Sequence, residues 1–206
     1  MAGCKHLCIS LLLLLFYCQA SANEFERFNT KPFRKRFGVE FSAYPAGQIY
    51  GLRAEFVNKS GWELNFRIGY NRAFRKNFSG LNDDEQGGGY GASVGIRYHA
   101  YDLGFAINDK TDAHLVVGTR VDFWKMDIFW KDWDNVPASG KTIINVLQPT
   151  FDIGLLFTLN QKWLLTVYGG VGQEINVVTK GDAVGQGGMW LGGIILCRNL
   201  WFKKNN

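Results

Sequence analysis

Residues 62–71 read Trp-Glu-Leu-Asn-Phe-Arg-Ile-Gly-Tyr-Asn, and this stretch restricts the fold more than any other part of the chain. Side chains of an extended strand alternate between two faces. Trp62, Leu64, Phe66, Ile68 and Tyr70 therefore share one side, and Glu63, Asn65, Arg67, Gly69 and Asn71 the other. Aromatic residues stand at both ends of the apolar face with aliphatic residues between them. A strand that crosses a bilayer between two interfacial belts has this arrangement.

Seven other stretches follow the same rule. Strands are expected over about Phe37–Tyr44, Ile49–Val57, Trp62–Phe74, Tyr90–Tyr98, from His114 past Phe123, Leu147–Thr158, Trp163–Val178 and Met189–Phe202, the last without a clear facing. Between them, Pro45–Gln48, Asn58–Gly61 and Asn160–Lys162 read as short turns, since proline and glycine punctuate strands. Residues 75–89, 130–141 and 180–188 read as longer polar connections, and 101–113 as a further long one. Pro149 removes a ladder donor and predicts a local bulge.

Ahead of the strands, Lys5 and His6 precede an unbroken apolar run from Leu11 to Tyr17, and Ala20, Ser21 and Ala22 supply small residues for cleavage. Residues 1–22 are thus expected to be a secretory signal, its apolar run being too short to span as a helix. A basic lead-in, 23–36, the strand region, 37–202, and a tail, 203–206, complete the division. Only Cys197 remains after the signal, so no disulfide framework forms within the mature chain.

An exported chain that is 15% aromatic, carries 25 glycines and is built from alternating strands points to an all-β, eight-stranded antiparallel transmembrane barrel. A soluble barrel shows the same alternation with its faces exchanged, and the identity of the polar residues separates the two. Arg53, Arg67, Arg97, Arg120 and Arg198 occupy mid-strand polar positions, where lysine is missing. A solvated surface uses lysine freely, whereas a crowded lumen favours the planar guanidinium, which grips carboxylates with two donors. Glu40, Glu55, Glu63, Asp122, Asp152 and Glu174 are the expected partners on the same face. Eight strands enclose only enough room for side chains, so these charges are expected to form a neutral, plugging network.

On this pattern, over residues 37–202, and on the closing Leu200, Trp201 and Phe202, the chain resembles the small eight-stranded outer-membrane barrels of the OmpX and OmpA-transmembrane-domain kind. The resemblance implies a monomer in contact with outer-membrane lipid, termini on the periplasmic side and longer loops outside. Some barrels of this size act on lipid A through a histidine near the outer leaflet. His99 and His114 fall at the opposite end, and no family-like histidine–serine spacing is present. The expectation is a non-enzymatic barrel without metal, cofactor or nucleic-acid partner, acting as a scaffold or through surface contacts. A narrow channel and a lipid A-modifying enzyme are the alternatives. Recognition of an extracellular partner is expected at Trp124, Trp130 and Trp133, aromatic residues set among Lys125, Asp127, Lys131, Asp132 and Asp134.

Overall fold

The computed structural model describes residues 34–76, 82–108, 111–133, 138–159 and 162–200. The stretch expected to be a signal, most of the basic lead-in, Trp201, Phe202 and the tail lie outside the described residues. Eight antiparallel strands form a closed meander: β1 Arg34–Tyr44, β2 Gly47–Val57, β3 Trp62–Lys76, β4 Asp84–Asn108, β5 Thr111–Asp132, β6 Ala138–Leu159, β7 Trp163–Lys180 and β8 Gly187–Leu200. Pairing of β1 with β8 shuts the sheet, leaving no edge strand to seek a partner.

The stagger of closure follows from the register. Arg34 faces Val57, which faces Glu63, and the row continues through Arg97, Gly118, Asp152, Gly170 and Leu191. Gly192 faces Ala43, so Leu191 comes back to β1 opposite Tyr44, ten residues along from Arg34. Eight strands with that stagger tilt by about 35–45° and enclose a bore that side chains fill completely.

Polarity is inverted relative to a soluble barrel. Val39, Leu52, Ile68 and Ile153 point outward with about half or more of their surface exposed, while Glu40, Arg53, Arg67 and Asp152 point inward and are buried. Cross-strand aromatic pairs stand near both ends of the apolar belt: Trp62 with Tyr98 at one, Phe41 with Tyr50 and Tyr70 with Tyr90 at the other, at centroid distances of 5.1, 5.3 and 5.1 Å. The barrel end that carries Arg34 and Leu200 also has Val57, Trp62, Asn108, Thr111, Leu159 and Trp163, and the other end has Tyr44, Gly47, Lys76, Asp84, Asp132, Ala138, Lys180 and Gly187. The second end is cut obliquely. β5 and β6 stay paired up to Asp132 and Ala138, whereas β1 and β2 stop at Tyr44 and Gly47.

Several expected boundaries move. The barrel begins at Arg34 rather than Phe37, and the last three residues assigned to the lead-in are paired with β2. The connection expected over 75–89 shrinks to 77–83, because Gly87, Gly88 and Gly89 are strand residues. A β-carbon at Gly87 or Gly89 would collide with the backbone of Asp127 or Lys125, and one at Gly91 would collide with the Trp124 ring. These glycines permit close approach and make no turn. Residues 101–113 mostly continue β4 and β5, with register shifts between Ala100 and Phe105 and between Ala106 and Asn108. Pro149 stays in regular register with Val121, the β6–β7 ladder is interrupted at Gln148 and Pro149 without a change of register, and the β6–β7 shift lies at Asn145–Val146.

The trough left by Gly91 gives a test. Gly91→Leu forces a branched side chain into Trp124, and overpacking of this kind costs roughly 1–3 kcal/mol. The urea midpoint of the refolded barrel should fall, read by heat-modifiable gel mobility. An unchanged midpoint would place Trp124 elsewhere.

Candidate functional site

Inward positions of β1 to β6 bring together nine of the eleven predicted charges: Glu40, Arg53, Glu55, Glu63, Arg67, Arg97, Arg120, Asp122 and Asp152. Glu40 is the node. Its Oε2 accepts from Arg53 Nη1 at 2.8 Å, and its Oε1 accepts from Arg67 Nη1, Arg120 Nη1 and the Tyr168 hydroxyl, each at 2.6 Å. Arg67 and Arg120 also reach Asp122 Oδ1, at 2.8 and 3.1 Å. Arg53 continues to Glu55 at 2.7 Å and to Glu63 at 3.0 Å, and Arg97 Nε donates to Asp152 at 3.0 Å. The guanidinium groups of Arg97 and Arg120 lie over the Tyr168 ring, 5.0 and 6.0 Å from its centroid. All these charged side chains are buried, so each ion depends on its partners to offset lost hydration.

Toward the end that carries Arg34 and Leu200, Arg36 adds a fifth arginine, 3.4 Å from Glu55 and 3.8 Å from Glu63. Sequence reasoning left Arg36 in the lead-in, although it continues the inward parity of Glu40 by two steps of two. With it, Arg36, Arg53, Arg67, Arg97 and Arg120 stand against Glu40, Glu55, Glu63, Asp122 and Asp152 among the described residues. His99 is buried here as well, with Nε2 2.8 Å from Glu63 Oε2, and stacks on Tyr101 at 5.5 Å. Half-buried His114 meets the same tyrosine at 4.9 Å.

Arg198 is not part of the network. It points outward over the Trp163 ring, 5.8 Å from the centroid, and Cys197 takes the inward position beside it. The cause is parity. Inward places on β8 are Leu191, Ile195 and Cys197, which pair opposite inward places of β7 such as Gly170, Thr166 and Leu164.

The other mouth holds a second cluster, built on Arg75, which was expected in a loop. Arg75 extends the inward series Arg67, Asn71 and Ala73 and contacts both Glu174 and Glu85. Gln148 donates to Glu174 at 2.9 Å and accepts from Trp124 Nε1 at 2.9 Å. Trp124 is therefore neither a girdle residue nor a loop residue. It is fully buried inside the barrel, the next inward place after Arg120 and Asp122, in the volume left by Gly91. Trp130, half-buried, packs against the same inner cluster of Met126, Ile128, Ile144 and Val146. Trp133 alone of the three is open, at 61% exposure.

Segment 181–186 turns back into this mouth. Gly181 and Gly187, at φ +116° and +153°, flank it in conformations that favour glycine. Thr142 Oγ1 donates to the Asp182 carbonyl at 2.9 Å, Asn82 to the Ala183 carbonyl at 3.2 Å, and Gly185 N–H to Glu85 at 3.1 Å, while Arg75 donates to the Gly185 carbonyl. Val184 is buried against the apolar cluster. Beside the segment remains a pocket of about 240 Å³ bordered by Tyr44, Arg75, Glu174 and Met189.

Lipid-facing outside, ionic inside and closed all round, the fold satisfies every requirement of a bilayer-spanning sheet. This is an eight-stranded outer-membrane-type β-barrel. No family model matches the chain, and no curated protein matches it. Among solved structures it is similar to the N-terminal β-barrel domain of Pseudomonas aeruginosa OprF, at 12% identity and a TM-score of 0.45 over 81% of this chain and 97% of that one. It is also similar to Neisserial surface protein A, at 8% identity and 0.47 over 82% and 97%, and to Yersinia pestis Ail, at 13% and 0.37 over 80% and 97%. The closed strand pairing and the inverted burial of the barrel itself define the fold.

The network orders the effects of substitution. Glu40→Ala leaves three arginines and a tyrosine without their shared acceptor and should destabilise the barrel by roughly 3–5 kcal/mol. Arg198→Ala, on the exposed wall, should stay within about 0.5 kcal/mol. Urea titration of both variants in the same detergent checks the contrast, and equal losses would contradict it.

Proposed function

We propose that the chain is a non-enzymatic outer-membrane protein whose charge-filled lumen is an internal scaffold and whose outward ribbon of β5 and β6 makes surface contacts. The convergence of β1, β2, β3, β5 and β7 on the single carboxylate of Glu40 carries this reading, since it occupies the bore where an open channel would need water. Segment 181–186 supports it by filling the outer mouth. An outer-leaflet enzyme would need its base at that mouth. His99 instead lies at the opposite end with Nε2 engaged by Glu63.

The projecting ribbon supplies the surface. Its outward face carries Phe129, at 57% exposure, and ends at Trp133, with Lys141 placed 5.5 Å over the Phe129 ring and Lys131 5.9 Å over the Trp133 ring. Large rigid rings contribute contact area at low entropy cost, and the Lys131 ammonium suits a partner bearing negative charge, while Lys141 is held by Asp127 at 2.7 Å. Partners on this reading are outer-membrane lipid around the belt and a surface ligand at the ribbon, and the barrel acts as a monomer.

Two measurements check the reading. Purified full-length chain in planar bilayers should give no large, steady single-channel current, and such a current would contradict the scaffold. Cells displaying the chain should adhere to wells coated with anionic glycan, and Trp133→Ala and, separately, excision of Asp132–Ser139 should each abolish this adhesion while the barrel still assembles. Unchanged adhesion would remove the ribbon from the proposal.

A further inference from the structure

The mouth closed by segment 181–186 keeps a cavity that neither the lumen network nor the projecting ribbon uses. It has a volume of about 240 Å³ and lies on the low side of the oblique rim, between the β1–β2 turn and the start of β8. Pro45, Ala46 and Met189 give it apolar walls, and Glu174 and Arg75 give it a charged border. Bare backbone lines it at Gly187, where no atom stands within 4 Å of the place a β-carbon would take. Sites for drug-sized ligands run to roughly 300–1,000 Å³, so this space suits a smaller molecule.

Charge at this border is unevenly met. Glu174 is buried, its Oε1 accepting from Arg75 and its Oε2 from Gln148 at 2.9 Å. Among the described residues Arg75 is the one cation paired with Glu174, and it divides its donors among Glu174, Glu85 and the Gly185 carbonyl. Gln148 brings no charge. Glu40, by contrast, receives four donors, three of them from arginines. A carboxylate offers about four acceptor sites, so Glu174 keeps lone pairs beside an open space and favours a further positive donor there. An anion is disfavoured, because the guanidinium at the border is already shared between two carboxylates.

We propose that this cavity binds a small primary ammonium ion with an aliphatic stem. The ammonium group donates to Glu174, and the stem lies along Met189, Pro45 and Ala46, which it shields from water. Methionine adapts to irregular shapes, so stems of differing length are accommodated. An alcohol of the same length brings no charge, and a carboxylate of that length meets Glu174 with like charge. Free alkylamines and lysine side chains both carry the required group.

The test is methyl NMR of the full-length chain in detergent, labelled at methionine, because Met189 borders the cavity and Met126, buried in the apolar cluster, does not. Pentylammonium should shift the Met189 methyl signal and leave Met126 in place. Its affinity should exceed that of pentanol by about tenfold or more, the size expected for one charge-assisted hydrogen bond, and pentanoate should cause no shift. Glu174→Gln should lower pentylammonium to the affinity of pentanol, with heat-modifiable mobility reporting that the barrel has formed. Nα-acetyl-lysine amide separates the two sources: binding equal to pentylammonium assigns a lysine side chain, weaker binding a free amine, and either upholds the site. An unmoved Met189 signal, equal affinity for pentanol and pentylammonium in the wild type, or a preference for the cation that survives Glu174→Gln would overturn it. The first two need no variant, so the test stands even where Glu174→Gln does not fold.

Discussion

A buried carboxylate must be surrounded by donors or it will not stay ionised in the interior, and Glu40 meets that requirement through four groups from four other strands. Everything else in the lumen follows from this demand. Three arginines drawn to one glutamate need further acids, which Asp122, Glu55 and Glu63 provide, and those extend the chain of contacts toward Arg36 and His99. A membrane barrel has no hydrophobic drive toward its interior from lipid outside, so this polar network does the work that an apolar core does in a soluble domain. It also ties strands distant in sequence, since Glu40 and Tyr168 are 128 residues apart.

Above the network the interior changes character. Trp124, Met126, Ile128, Ile144 and Val146 face inward on the tall side of the oblique rim, and Val184 covers them from the returning segment. The barrel is thus filled by two unlike materials, ions within the membrane belt and apolar side chains beyond it. Arg75 belongs to the border. It holds Glu85 and Glu174 on opposite walls and fastens the Gly185 backbone between them.

Strand number, antiparallel order and inverted polarity were legible in the chain because period-two alternation depends only on neighbours in sequence. Arginine in place of lysine at mid-strand positions likewise pointed to a confined lumen. The pairings were not legible. Which arginine meets Glu40 depends on a stagger of ten residues, and no local signal encodes it. Arg198 was misplaced because β8 offers Ile194, Ile195 and Leu196 in succession, so neither parity reads as a face. Trp124 was placed outside because an indole among charges looks like a surface group, and its inward volume is visible only once Gly91 stands opposite. Arg36 and Arg75 could have been found by carrying the inward parity one residue past the expected strand ends.

The central claim, that one shared carboxylate organises the lumen, is most directly tested by a double-mutant cycle on Glu40→Gln and Arg120→Met, read by urea unfolding in detergent. Contact at 2.6 Å inside a buried network predicts that the double variant loses less than the two single losses combined, by roughly 0.5–3 kcal/mol. Simple additivity of the two losses would mean that Glu40 and Arg120 do not meet, and the account of the lumen would fail with it.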